Sequence, residues 1–305
     1  MKSAKSLLTR RTVLLSGFYT VLPGVFFSGR LLFAESADAI SSRLAEIEKK
    51  SGGRLGCAIL DTGLDTGNSK RFAYRGDERF PMCSTFKFLA VAFVLHRVEQ
   101  GQEHLNRRVP IEQKDILSYA PVTSKHVGKQ GMTVAELCEA AITLSDNTAA
   151  NLLLASFGGP PALTAFLRSI GDSITRLDRI EPTLNEAIPG DPRDTTSPIA
   201  MLENLNRILL GDTLSAASRQ QLTSWMIACQ TGKTKLRAGV PGDWREGDKT
   251  GSGERGTSND IAIFWPPNRS PILITAYLTG SKLSDQEQNA IIAEVGRAFA
   301  DHLQQ

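Results

Sequence analysis

The chain is poor in the residues that build metal and redox centres. Its 305 residues include only four cysteines and four histidines. Cys57, Cys83, Cys138 and Cys229 show no C-x-x-C spacing and each lies in an apolar stretch, so they read as buried thiols. His96, His104, His126 and His302 are scattered without ligand spacing. No metal is expected, and no cofactor is implied. Repeats and low-complexity tracts are absent, and at 41% hydrophobic and 22% charged the chain has no bias toward disorder. A basic surplus is missing too, once the first residues are set aside. Residues 1–34 hold Lys2, Lys5, Arg10, Arg11 and Arg30 and no acid; the 35 Lys and Arg less these five leave 30 against 32 Asp and Glu. The formal charge of +3 belongs to the leader, so nucleic-acid binding has no support.

That leader has a basic start, an apolar run from Val13 to Phe27, and small residues near Ala34 and Ala37. This is the build of a signal peptide, and Thr9-Arg10-Arg11-Thr12-Val13-Leu14 resembles a twin-arginine export signal. A non-cleaved anchor helix is the alternative. The expectation is an export segment over 1–37, cut near Ala34–Ala37, and a periplasmic monomer with no stable membrane partner.

Length allows one or two domains. Residues 37–51 read as an amphipathic helix, with Ile40, Leu44 and Ile47 on one face and Gly52-Gly53 as its stop. Leu55–Asp61 and Arg71–Tyr74 read as strands. From about 76 to 229 the pattern is helical: the helix after Ser84, then Thr133–Ala141, Asn147–Phe157, Pro161–Ile170, Pro198–Leu210 and Ser218–Cys229. Residues 178–197, with Pro182, Pro189 and Pro192, resist assignment, and loops of that length inside compact domains are usually functional or disordered. Strands return at Arg245–Gly253, Ile261–Trp265 and Ile272–Thr279. Ser284-Asp285-Gln286-Glu287 is a capping box that opens a last helix through Leu303. Strands at both ends and helices between them predict an α+β fold. An antiparallel sheet of about five strands, flanked by terminal helices, would form one domain from 38–75 and 227–305. An all-helical domain over 76–226 would include the acidic loop 178–197, with the site in the cleft between the two.

The chain is organised around Ser84-Thr85-Phe86-Lys87. The run that follows is apolar on nearly every face, the mark of a core helix, which places Ser84 in a first turn with Lys87 one turn on. Free N–H groups at a helix start suit a developing negative charge. A hydroxyl beside a candidate base is the usual construction of an activated nucleophile. The plainer reading is a serine cap and a lysine reaching out to solvent. Three other stretches hold polar residues where a core would not: Ser145-Asp146-Asn147, Glu181-Pro182-Thr183-Leu184-Asn185 and Lys249-Thr250-Gly251-Ser252-Gly253. Singly they read as a helix cap, a loop start and an edge strand with a gatekeeper lysine.

Taken together they resemble the class A serine β-lactamases. The trio Ser84-Thr85-Phe86-Lys87, Ser145-Asp146-Asn147 and Lys249-Thr250-Gly251 stands in the order of that family, and Glu181-x-x-Leu184-Asn185 looks like its acidic loop. Tyr119-Ala120-Pro121-Val122-Thr123 and the stretch Met132–Cys138 are similar too, so the resemblance runs from about 38 to 303. It implies hydrolysis of the amide of penicillins and cephalosporins through a serine acyl-enzyme, and with it antibiotic resistance. Ser84 would be the nucleophile, with the N–H groups of Ser84 and Ser252 as the oxyanion hole. Gly251 and Gly253 would permit a close approach of that strand to the ligand. Lys87 and Glu181 are both candidates for the acylation base. Ser145, tuned by Lys249, would relay a proton to the ring nitrogen. Asn147 would hold Lys87 or the substrate's side-chain amide. Thr250 and Ser252 would bind the substrate carboxylate, Tyr119 would wall the cleft mouth, and Glu181 with Asn185 would hold the deacylating water.

The chain departs from the family at some positions. The extra carboxylate-anchoring arginine of many members falls at Lys235, with Arg237 and Arg255 as alternatives. Two disulfides found in some members should be absent, because the partner of Cys138 would be Val91 and that of Cys83 would be Gly253. The second absence weakens a carbapenemase reading. A penicillin-binding D,D-peptidase and a β-lactam sensor that stays acylated are the competing readings, and Glu181 with Asn185 is the feature that separates them from a hydrolase.

Overall fold

The computed structural model describes residues 28–303 apart from 64–66 and 68, with side chains described from residue 39 onward. The expected leader therefore lies mostly outside the described residues, and so does most of the turn at 63–68. No single described helix is long and apolar enough to cross a membrane.

Helix α1 (Ser28–Ser51) leads into strands β1 (Arg54–Asp61) and β2 (Lys70–Tyr74). A two-residue strand β3 (Phe80–Pro81) and a single 3-10 turn (Cys83–Thr85) precede α2 (Phe86–Glu99). Next come β4 (Arg108–Ile111), β5 (Gly128–Thr133), α3 (Val134–Thr143), α4 (Asn147–Ser156) and α5 (Gly159–Ser169). The long loop ends in β6 (Thr195–Thr196), followed by α6 (Pro198–Leu209), α7 (Ala216–Ile227) and the short α8 (Leu236–Gly239). Strands β7 (Arg245–Gly253), β8 (Thr257–Trp265) and β9 (Ile272–Thr279) precede α9 (Asp285–Leu303).

Five strands form one antiparallel sheet in the order β2-β1-β9-β8-β7, so the two ends of the chain meet at the β1–β9 pairing. Successive side chains of a strand point to opposite faces, and β1 is apolar on both. Leu55, Cys57 and Ile59 pack with Ile40 and Leu44 of α1 and with Ile291, Val295 and Phe299 of α9. Ala58 and Leu60 join a second core with α2, α3, α4 and α6. Burying a side chain such as Leu44 or Phe299 contributes roughly 1.5–3 kcal/mol. Helix α2 runs through the middle of the helical layer, with Phe86 to Ala92 all buried, as its apolar circumference requires.

The segment 76–229 is not wholly helical, as the periodicity suggested. It holds two small ribbons, β3 with β6 and β4 with β5. Neither offers a period-2 pattern long enough to read. The first has two residues a side, and the second is broken by an irregularity between Val109 and Ile111.

Two carboxylates fix the elements nearest the cleft. Asp146 caps α4 by accepting from Ala149 N at 2.9 Å, and it also accepts from Val122 N, Thr123 N and Thr123 Oγ1. Asp194 closes the base of the 178–197 loop. Its Oδ1 accepts from Asp178 N at 2.8 Å and Arg179 N at 2.9 Å, its Oδ2 pairs with Arg179, and Asp178 accepts in return from Asp194 N. The segment is thus an ordered loop with its ends tied together.

Candidate active site

Ser84 lies in the 3-10 turn just before α2, so its peptide belongs to a helix start, although two residues ahead of the α-helix proper. Its residue is 8% exposed, while Lys87 one turn later is wholly buried. Both meet the same carboxylate: Ser84 Oγ donates to Glu181 Oε1 at 3.2 Å, and Lys87 Nζ lies 3.0 Å from that atom. Lys87 Nζ also donates to Ser145 O at 2.8 Å and to Asn147 Oδ1 at 2.6 Å. An ammonium has three protons, and these three acceptors account for them. Burial pushes the Lys87 pKa down from the usual lysine range, and the Glu181 charge works against that shift.

Glu181 reaches this position because the loop is clamped from the helical side. Asn151 of α4 donates Nδ2 to Glu181 O at 2.8 Å and accepts from Glu181 N at 2.9 Å. Asn185 donates to Glu181 Oε2. The other amide atom, Asn185 Oδ1, is buried and has no hydrogen-bond partner among the described residues, which leaves it able to accept from a small donor.

Ser145 sits between the two lysines in a left-handed conformation (φ 57°). Its Oγ accepts from Lys249 Nζ at 3.0 Å and lies 3.4 Å from Lys87 Nζ. A hydroxyl that accepts from an ammonium has its own proton to give elsewhere. Lys249 is wholly buried on the edge strand β7 and also donates to Thr250 O at 2.7 Å. Burial lowers its pKa to about 8, and the nearby charges of Lys87 and Lys235 act in the same direction.

Strand β7 approaches the Ser84 turn as closely as backbone allows. A Cβ on Gly251 would stand 2.7 Å from Met82 O and 3.2 Å from Ser84 N, and one on Gly253 would meet Cys83 Sγ at 2.6 Å. Asn259 of β8 secures the same turn by donating Nδ2 to Pro81 O at 2.8 Å. Of the three candidate cations, Lys235 reaches the Gly251–Ser252 stretch of this strand beside Ser84. It is buried and donates to Gly251 O at 3.0 Å, Asn259 O at 3.0 Å and Ser252 Oγ at 3.3 Å. Arg237 pairs with Glu246 and Asp248, and Arg255 reaches Glu186 O and Glu254. Thr250 Oγ1 meets Thr231 Oγ1 at 2.6 Å. The Tyr119 side chain is half exposed, while its carbonyl accepts from Asn147 N at 3.1 Å. All four cysteines are free and buried.

Ser84, Lys87, Ser145, Asn147, Glu181, Asn185 and Lys249 thus form one connected hydrogen-bonded set, and Thr250, Gly251, Ser252 and Lys235 line the adjoining strand. Sequence reasoning passed over Asn151, Asn259 and Thr231. Each is a single polar residue that bonds backbone or another hydroxyl far along the chain, and no local pattern marks it.

A serine hydroxyl on a buried carboxylate, beside two buried lysines and between a sheet edge and a helical layer, is the equipment of a serine hydrolase that forms an acyl-enzyme. A sequence profile of the beta-lactamase enzyme family matches residues 39–303. The chain is 45% identical over 294 residues to β-lactamase OXY-1 of Klebsiella oxytoca, covering 96% of this chain and 98% of that one. It is 49% identical over 270 residues to β-lactamase L2 of Stenotrophomonas maltophilia, covering 88% and 87%. The solved class A β-lactamase of the last common ancestor of Gram-negative bacteria superposes with a TM-score of 0.84 at 64% identity, covering 87% of this chain and 99% of that one. The chain belongs to the β-lactamase enzyme family, in its class A. It is a β-lactam hydrolase, and its activity is the hydrolysis of the β-lactam amide through a serine acyl-enzyme, which confers antibiotic resistance.

Proposed function

We propose that Ser84 attacks the β-lactam carbonyl of penicillins and cephalosporins and that Glu181 is the base in both half-reactions. The observation that carries this reading is the double contact of Glu181 Oε1, with Ser84 Oγ at 3.2 Å and Lys87 Nζ at 3.0 Å. A base needs a free lone pair directed at the proton it takes. Glu181 offers one to Ser84. Lys87, with its three protons engaged by Ser145, Asn147 and Glu181, offers none, so its part is to hold the site's geometry and balance the carboxylate.

As the ring opens, Ser145 passes its proton to the departing nitrogen beside Lys249, and Lys87, which touches both groups, hands Ser145 a proton and takes in exchange the one that Glu181 removed from Ser84, so that Glu181 is a free carboxylate again for the second half-reaction. The oxyanion that forms is received by the N–H groups of Ser84 and Ser252, where one such donor is typically worth about 10²–10³ in rate. Thr250, Ser252 and Lys235 take the substrate carboxylate, Gly251 keeps the strand close, Asn147 faces the substrate's amide, and Tyr119 walls the mouth. In the second half-reaction Glu181 and Asn185 hold the water that cleaves the ester; the unpartnered Asn185 Oδ1 supports that placement. We assign residues 38–75 with 227–305, and 76–226, to the two lobes flanking this cleft. We further assign 1–37 to export into the periplasm as a monomer.

The direct test is steady-state hydrolysis of a chromogenic cephalosporin by the 38–305 protein, with chelator present. Metal-independent turnover is the expected outcome. Stoichiometric acylation without turnover would instead favour a sensor.

A further inference from the structure

The loop between α7 and α8 runs alongside β7 and touches it repeatedly. Cys229 Sγ donates to Asp248 Oδ2 at 3.3 Å, Thr231 Oγ1 meets Thr250 Oγ1 at 2.6 Å, and Lys235 Nζ reaches Gly251 O and Ser252 Oγ. The approach is close enough to require glycine between them, since a Cβ on Gly232 would fall 1.8 Å from Asp248 Oδ2. Lys235 has been given a role above. Thr231 has none, although its contact with Thr250 is short even for two hydroxyls.

That contact has two possible polarities, because each hydroxyl carries one proton and can also accept. A carboxylate only accepts. Thr250 can bind a substrate carboxylate only if its own proton points into the cleft, and then the proton shared with Thr231 must come from Thr231. The surroundings select this polarity. The other neighbour of Thr231 Oγ1 is Cys229 Sγ at 3.3 Å, whose proton is directed at Asp248. A thiol sulfur is a weak acceptor and a hydroxyl oxygen a strong one, so the Thr231 proton goes to Thr250.

We propose that Thr231 is a positioning residue for substrate recognition: its hydroxyl donates to Thr250 Oγ1 and turns the Thr250 proton toward the ring carboxylate of the β-lactam. The proposal rests on the reading of Thr250 as a carboxylate ligand, and the experiment separates the two. Thr231→Val removes the hydroxyl at nearly constant volume, Thr231→Ser keeps it, and Thr250→Val removes the ligand itself. Each is assayed on a chromogenic cephalosporin and on the same compound with its ring carboxylate methylated. Hydrogen bonds to charged groups correspond to about ten- to a hundredfold in binding. Thr231→Val should raise KM for the acid by about the lower end of that range, leave kcat in place and leave the ester's kinetics unchanged. Thr231→Ser should restore the acid's KM. If Thr250→Val raises KM for the acid but Thr231→Val does not, the positioning role is overturned while the Thr250 reading stands. If Thr250→Val treats acid and ester alike, the reading beneath it has failed. Equal loss of kcat on both substrates in Thr231→Val would mark a merely structural role and also overturn the proposal.

Discussion

Lys87 Nζ lies 3.0 Å from Glu181 Oε1, and neither side chain is accessible to solvent. A buried ion pair of this kind is weak evidence for stability, because desolvation offsets most of the attraction. Its significance is chemical. It delivers a carboxylate, held by a cation on one side and by Asn185 on the other, to a serine that needs a base.

Replacing Glu181 with Ala or Gln should therefore slow acylation as well as hydrolysis of the ester. General-base removal typically costs about 10²–10⁴ in rate. A time course of intact-protein mass spectra with excess penicillin should show the acyl adduct forming more slowly than in the parent and, once formed, persisting on either variant. A variant that turns over normally would remove Glu181 from the deacylation step.

Lys249 gives the reaction an alkaline limit. Its pKa is lowered to about 8, so the ammonium is present below that pH and lost as pH rises through it. The kcat/KM for an anionic β-lactam should fall through the same range, because Ser145 Oγ and the carboxylate region lose a positive neighbour together. Lys249→Arg should move that limb upward, since arginine stays charged to beyond about pH 12. A pH–rate profile of the two proteins would decide it.

Gly251→Ala tests the close approach of β7. The new methyl would meet Met82 O at 2.7 Å, so the strand must retreat from the turn that carries Ser84. Because the proposed oxyanion donors sit on these two segments, acylation should drop by about 10²–10³. Stopped-flow acylation rates for this variant and for Gly242→Ala, whose Cβ would meet nothing within 4 Å and whose φ is not left-handed, give the comparison.

Asp146→Ala should act on folding before it acts on chemistry. The change removes the α4 cap and leaves Val122 N, Thr123 N and Ala149 N without their buried acceptor. A cap is worth about 1 kcal/mol, and each stranded donor adds about as much again, so a loss of roughly 2–4 kcal/mol is expected in urea unfolding.

The α+β layout was readable because it follows from long periodic segments: β1 and β9 are apolar runs, α2 is apolar on nearly every face, and α9 opens on a capping box. What escaped the sequence is short or non-local. β3 and β6 have two residues each, and only their mutual pairing makes them strands. Asn151 is an ordinary helix residue until the loop 30 positions later comes to rest on it. Asp146 is the opposite case. It is the plain helix cap that its sequence suggests, while its neighbours Ser145 and Asn147 reach Lys87. The long loop could not be read because its order comes from Asp194 bonding back to Asp178 and Arg179, a closure that leaves no periodic trace.

The contacts around Ser84 also bear on how the protein comes into being. Ser84 meets Glu181 across 97 positions, Lys87 meets Ser145 across 58, and Lys249 meets Ser145 across 104. Contacts of such separation form late, after the entropy of closing long loops has been met. No contiguous piece of the chain carries a working half of the site, and strand β7 leaves the ribosome only after the segments that carry Ser84, Ser145 and Glu181. Hydrolysis is therefore a signal that the whole molecule has assembled. A partly folded chain can expose apolar surface or lose its lysine–carboxylate pair, but it cannot turn over substrate, so residual activity during refolding counts only finished molecules.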